Sequence, residues 1–293
     1  MIRVFLASGF LLMVFSGVFF ALGDVGVKLV SSSISVIEIA FFRFVIGIVF
    51  LLTLMVPRGL SLRGDHPSML VLRGITGVVA FFCLLKSIAM IPLANAMVLF
   101  YTFPVFAAVF SLMVLREPVG KWDVTLIAGA MIGIYVLLDP GSHGLNWGDV
   151  LGLTAACFAG LTVVLVRKLR QTNNPFVIYF YFCLVGGIIS CPFFLKASRV
   201  PSFSQLLFLV AIGSAFLIAQ LLMNQGFKIC RAAEGSVLLM SELVFAALAG
   251  VIIFRDPLNV GFLIGASLIL GSGIGLNLIN RSPRHEVLGE DRA

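Results

Sequence analysis

Along this chain the apolar positions follow neither the period of a strand nor that of a surface helix. They run in ten long blocks, each of about the twenty residues that a bilayer-spanning helix needs. The blocks cover approximately residues 4–30, 34–56, 68–90, 93–115, 121–139, 147–169, 175–197, 203–228, 232–254 and 257–280. Polar residues collect in the short joints between them. The pattern predicts an all-α integral membrane protein of ten transmembrane helices, with no room for a soluble domain. Arg3 stands before the first block as in a signal peptide, but the run is long and no small-residue cleavage site follows, so this helix is expected to be retained. Only the end of the chain, RSPRHEVLGEDRA from Arg281, has the composition of a disordered tail.

The blocks also repeat. ANAMVLFYTFPVFAAVFSLMVLREP, from Ala94 to Pro118, returns as AEGSVLLMSELVFAALAGVIIFRDP, from Ala233 to Pro257, at an offset of 139 residues. Nine identities fall in 25 ungapped positions, and a Phe-Ala-Ala core is followed at equal distance by Arg-acid-Pro. A shared apolar alphabet does not explain that, so the chain reads as a duplication. Residues 1–140 form one repeat of five helices, 141–280 the second, and 281–293 a cytoplasmic tail. An odd number of helices per repeat inverts the second half relative to the first. Inverted repeats recur in secondary transporters, which bind substrate near the midplane where the halves meet, although channels carry them too.

Composition fits this picture, with 60% hydrophobic residues, 11% charged and a mean hydropathy of +1.14. The net charge of +7 would suggest nucleic acid in a soluble protein. Here its placement explains it: with the N-terminus inside, thirteen Lys and Arg fall in inner joints and three (Lys196, Arg199, Arg255) in outer ones. That asymmetry predicts a multi-pass protein of a bacterial-type inner membrane with both termini cytoplasmic, and no nucleic acid as partner. The five cysteines lie in or beside the spans without a CxxC, as core residues do. His66, His143 and His285 lie in joints or the tail, so no metal site is expected in the bilayer, and no cofactor signature is present.

Ionisable groups inside a span cost about 3 kcal/mol or more each unless paired or wetted, which makes them the site candidates. Asp24 and Lys28 are spaced i, i+4 in the first span, Glu38 and Arg43 lie in the second and Lys86 in the third. A turn near Ser33 would set Lys28 against Glu38 and Asp24 against Arg43 at matching depths. These charges read either as a structural ion-pair network or as a proton-linked gate. Glu242 differs, because neither its helix nor its own turn offers a basic residue. It lies on a stripe with Glu234, Leu238, Ser241 and Phe245, mirrored by Asn95, Leu99, Thr102, Phe103 and Phe106 in the fourth span. Gln220, Asn224 and Lys228 give the eighth span a polar face, and Phe20, Phe81 and Tyr101 are candidate apolar walls. The expected substrate site is therefore Glu242, Ser241, Thr102, Tyr101, Phe20, Phe81, Gln220 and Asn224. Asp24, Glu38, Arg43, Lys28, Lys86, Asn95 and Glu234 are expected to gate it or carry protons.

In this order, VIEIAFFRFVIG with Glu38 and Arg43, IPLANAMVLFYTFPVFAAVFSLMVLREP, SELVFAALAGVIIFRDP and the glycine-rich fifth and tenth spans resemble the drug/metabolite transporter superfamily. The likeness is to the ten-helix exporters made of two EamA-type repeats, and it covers nearly the whole chain. It implies a small-molecule exporter whose fifth and tenth helices lie behind the substrate path. It also implies a bend at Pro104 in the fourth span, but does not carry one to the ninth, where Leu243 stands in place of the usual Pro. Gly129-x-x-x-Gly133, Gly261-x-x-x-Gly265 and Gly271-x-x-x-Gly275 suit close helix packing, within the chain or in a homodimer. The reading is a secondary transporter of amino acids or amines, exporting by alternating access, with protons as a candidate coupling partner. The alternatives are uptake of a larger adenosyl or nucleotide-like compound or, from other classes, a channel or an intramembrane enzyme. Without a nucleophile-base set or a filter ring, neither of the last two is expected. No Walker motif points to ATP.

Overall fold

The computed structural model describes residues 8–31, 33–140, 145–197, 201–255 and 260–290, with the backbone alone for 197 and 280–290. Arg3, His143, Arg199, Asp256, Pro257 and Arg292 lie outside it. The elements are α1 (Gly9–Val30), α2 (Val36–Met55), α3 (Pro67–Ile88), α4 (Leu93–Phe100), α5 (Phe103–Val114), α6 (Lys121–Leu138), α7 (Trp147–Leu169), α8 (Pro175–Ala197), α9 (Phe203–Gly226), α10 (Ala232–Leu239), α11 (Ser241–Phe254) and α12 (Val260–Glu290). The fourth span is thus α4 with α5, the ninth is α10 with α11, and among the described residues ten helical units are long and apolar enough to cross a membrane. Where a disordered tail was expected, α12 continues to Glu290. Extending a helix already formed costs far less than nucleating one, which lets it run past the last apolar turn.

The packing obeys the inverted duplication. Helix α1 packs on α9 as α7 packs on α3, α1 on α11 as α7 on α5, and α2 on α9 as α8 on α3. The self-paired contacts α2 with α8 and α6 with α12 lie on the pseudo-twofold axis. The Arg-acid-Pro motif has a shared structural use. Arg116 (φ 56°) and Arg255 (φ 60°) both take the left-handed conformation that ends their helices. The residue before a proline disfavours helix, so the motif is a stop signal used once per repeat.

The fifth and tenth spans cross on glycine. A Cβ on Gly265 would lie 2.5 Å from the Gly133 carbonyl oxygen and 2.6 Å from Leu137 Cβ, and one on Gly133 would lie 2.8 Å from the Gly265 oxygen. Backbone meets backbone there, so the small-residue spacing serves packing within the chain. Gly265→Ala must push α6 and α12 apart. It is expected to destabilise the protein by about 1–3 kcal/mol, seen as a lower melting temperature of the purified protein in detergent. An unchanged melting point would mean that the crossing is loose.

Candidate functional site

Two helix interruptions face each other at the repeat interface. Between α4 and α5, Thr102 N–H donates to the Leu99 carbonyl (3.2 Å), the Thr102 hydroxyl donates to that same oxygen (2.7 Å), and Pro104 has no N–H to continue the ladder. Tyr101 stands at this break and its repeat counterpart, Met240, stands at the other. The ninth span therefore breaks without a proline, which corrects the expectation drawn from Leu243. Tight i to i+3 bonds, Met240 N to Val237 O (3.0 Å) and Leu243 N to Met240 O (3.1 Å), interrupt it instead. Gly17 of α1 lies against this second break, where a Cβ would be 2.6 Å from Ser241 Oγ and 2.9 Å from Glu242 N. Only a residue without a side chain lets α1 approach so closely.

Glu242 projects from the first turn of α11 and comes within hydrogen-bonding reach of Asp24 on α1. Ionised carboxylates only accept hydrogen bonds, so a bond between these two groups forms only when one of them is protonated. Glu242 is half-buried, and Asp24 lies at the surface of the helix bundle. Arg43 of α2 faces both carboxyls. Its guanidinium carbon lies 3.8 Å from the centroid of Phe216 and 5.8 Å from that of Phe81. Phe20 packs on Phe216 as well, with ring centroids 6.2 Å apart. Tyr101, almost wholly buried, faces the same acids. The structure thus brings Asp24, Arg43, Tyr101, Phe20, Phe81, Ser241 and Glu242 to one place. Glu242, taken from the sequence as lacking a partner, finds one on another helix.

Other candidates go elsewhere. Glu38 does not ion-pair with Lys28: its Oε2 accepts from Ser35 N (2.9 Å) and Ser35 Oγ (3.0 Å), in a capping box that starts α2. Lys28 instead lies over the Phe254 ring, 3.8 Å from its centroid. Glu234 caps α10 and accepts from Asn277 Nδ2 of α12 at 2.6 Å. Asn95 is buried near the start of α4, and Lys86 is exposed at the end of α3. Asn224 is fully buried but ties helix ends together, its Nδ2 donating to the Pro175 carbonyl at 3.2 Å. Gln220 accepts from Arg73 of α3.

At the end of the bundle that carries both termini, polar bonds join the repeats. Arg167 Nε meets Glu117 Oε1 at 3.0 Å, its Nη1 donates to the carbonyls of Phe227 (2.9 Å) and Lys228 (2.8 Å), and Ala232 N donates to Glu117 Oε2 at 3.0 Å. Asp65 and Asn173 exchange bonds of 2.7 and 3.0 Å, and Arg231 lies 3.6 Å from Asp123. Arg170 donates to Asn173 O, Asn224 O and Gln225 Oε1, and burial pulls its guanidinium down to about 10, still charged at neutral pH. These bonds latch this end of the bundle.

Inverted repeats, two facing helix breaks and a charged cluster between them define a membrane transporter. A model of the EamA-like transporter family matches residues 7–139 and again 146–278, and the chain belongs to that family. It is 29% identical over 279 residues to the pseudopaline exporter CntI of Pseudomonas aeruginosa, covering 94% of this chain and 98% of that protein. It is 24% identical over 253 residues to the S-adenosylmethionine uptake transporter of Rickettsia prowazekii, covering 85% of each. A solved crystal structure superposes with a TM-score of 0.80 at 20% identity over 94% of this chain and 98% of that one, which shows the fold.

Proposed function

We propose that this protein is a secondary transporter of a bacterial inner membrane that exports a small amino- or amine-bearing metabolite by alternating access in exchange for protons. The observation that carries this reading is the approach of the Asp24 and Glu242 carboxyls at the interface of the two repeats, opposite Arg43, and we assign one shared proton to this pair. A substrate ammonium that reaches the pair takes the place of the shared proton, so loading substrate and releasing a proton become one event. Asp24, Glu242, Arg43 and Tyr101 are the titratable and charged groups that face this point. Both halves of the site come from one chain, which supports a monomer as the working unit. The similarity to a pseudopaline exporter along 98% of that protein supports export. Purified protein in proteoliposomes, given labelled amino acids, amines and nucleosides with and without a pH gradient, tests the reading. Gradient-driven flux of an amine-bearing solute is expected, and no flux of any of them would overturn it.

The similarity to an S-adenosylmethionine uptake transporter favours a second reading, uptake of an adenosyl compound, with Phe20, Phe81 and Phe216 as the surfaces on which a purine would lie. A labelled adenosyl compound in the same assay separates the two. In either reading the latched end is cytoplasmic, in line with the basic-residue asymmetry. A cysteine at exposed Leu145 is expected to react with an impermeant reagent on intact cells, and one at His66 to be protected. The reverse pattern would invert the orientation.

A further inference from the structure

Arg73 on α3 is 1% exposed, one of the largest side chains that the protein buries completely. Its Nη2 donates to Gln220 Oε1 at 3.1 Å and its guanidinium lies over the Phe182 ring, 4.5 Å from the centroid. Nε and Nη1 have no acceptor. The charged and titratable groups around it are Arg43, Tyr179 and Cys183, and no carboxylate among the described residues pairs with it. Other polar atoms here are also unmatched. Arg43 Nε has no partner, and the Tyr179 hydroxyl lies near Arg43 and Cys183 without a well-formed bond to either. The wall beside Nη1 is glycine: a Cβ on Gly77 would lie 3.2 Å from it, so a larger residue would press on the guanidinium.

Lysines at span ends reach water, but this guanidinium is held in the interior, where an uncompensated charge is strongly destabilising. The charges around it can be counted. The acid pair with its shared proton carries one negative charge and Arg43 one positive, which balance. Arg73 is left over, so the cluster lacks one negative charge. We propose that Arg73, assisted by Arg43, is the subsite for the carboxylate of the transported metabolite. The substrate is then a zwitterion, with its ammonium at Asp24 and Glu242 and its carboxylate at Arg73. The unmatched single charge selects a carboxylate over a phosphate monoester, which carries about −1.5 to −2 at neutral pH. One zwitterion entering and one proton leaving from the acid pair take the site from one net positive charge to neutral. This assignment rests on the transport reading above.

The test uses full-length protein in proteoliposomes with matched labelled pairs, L-lysine with cadaverine and L-tyrosine with tyramine, in which only the carboxylate differs. Wild type is expected to carry the amino acid of at least one pair and to carry its decarboxylated partner about tenfold to a hundredfold less well, the worth of one charge-assisted bond. Arg73→Gln should bring the amino acid down to the level of its amine through a higher half-saturating concentration, and Arg73→Lys should restore part of the difference. Equal transport of acid and amine by wild type leaves the transport reading standing and overturns the carboxylate subsite. Flux of neither member of any pair overturns the carboxylate subsite for amino acids, and the transport reading falls with it when the wider screen of amino acids, amines and nucleosides shows no flux either. Because the wild-type comparison decides the matter without a variant, a misfolded Arg73→Gln does not protect the proposal. A folded Arg73→Gln that keeps the wild-type preference, with only a lower melting temperature, makes Arg73 a packing residue and overturns it as well.

Discussion

Glu242→Gln is expected to leave the fold intact and to cut transport by about tenfold to a hundredfold, with the pH dependence of the remainder lost. Glutamine has nearly the shape of glutamate, and its amide can donate to the Asp24 carboxylate where the shared proton now sits. The α1–α11 contact therefore survives, and Gly17 still fits against the second break. The variant loses the ability to give up that proton. In wild type a substrate cation exchanges with it. In the variant the site carries one carboxylate whether or not substrate is bound, and the cation meets one negative charge where wild type offers two. Losing a charge-assisted interaction of about 1.5–3 kcal/mol corresponds to that range in flux at low substrate. Flux across pH and a melting curve on the same preparation check this. Wild-type flux at every pH would remove Glu242 from the site, and a collapse of the melting temperature would make it a structural partner of Asp24.

The spans were legible in the sequence almost to the residue, because lipid demands a length and a hydrophobicity that leave little freedom. The duplication was legible too, since Phe-Ala-Ala and Arg-acid-Pro do structural work in each half: one packs, and the left-handed Arg116 and Arg255 end the helices. The site was half legible. The rule that intramembrane charge needs a reason picked out Asp24, Arg43 and Glu242, and hairpin geometry set Asp24 beside Arg43, which does face it, but it set Lys28 against Glu38, which the structure does not pair, and left out the partners that come from the other repeat. Cross-repeat packing of α1 on α11 decides them, and that contact spans more than 200 residues of chain. Glu38 and Glu234 looked like buried charges needing a functional reason. Both stand three residues past an N-cap: Ser35 with Glu38 is a capping signature readable beforehand, whereas the Arg231 side chain cannot accept a bond and only the structure shows Glu234 taking its backbone N–H. Arg73 was the missed signal. It lies in the third span with no acid one turn away, as Glu242 lies with no base one turn away.

Arg167→Gln is expected to unlatch the end of the bundle that carries the termini. One side chain there serves three elements: it pairs with Glu117 after α5 and caps the carbonyls of Phe227 and Lys228 beyond α9. Glu117 in turn takes the N–H of Ala232 at the start of α10. Removing the guanidinium leaves a carboxylate and two carbonyls without their donor. A fully buried broken pair costs about 3–5 kcal/mol. With the two side chains 15% and 16% exposed, water recovers part of that, and about 1–3 kcal/mol is the expected loss for the latched form. The form open at this end has already given up these bonds, so it loses nothing, and the balance between the two shifts by about tenfold per 1.4 kcal/mol. A cysteine introduced at Ser241 should therefore react faster with a thiol reagent applied from the terminus side in Arg167→Gln than in wild type, with a lower melting temperature as companion. Glu117→Gln with Arg167→Gln should cost less than the sum of the two single changes, because the double variant leaves no carboxylate unmatched. Wild-type labelling rates in the single variant would mean that the pair merely decorates a surface and that another contact holds this end shut.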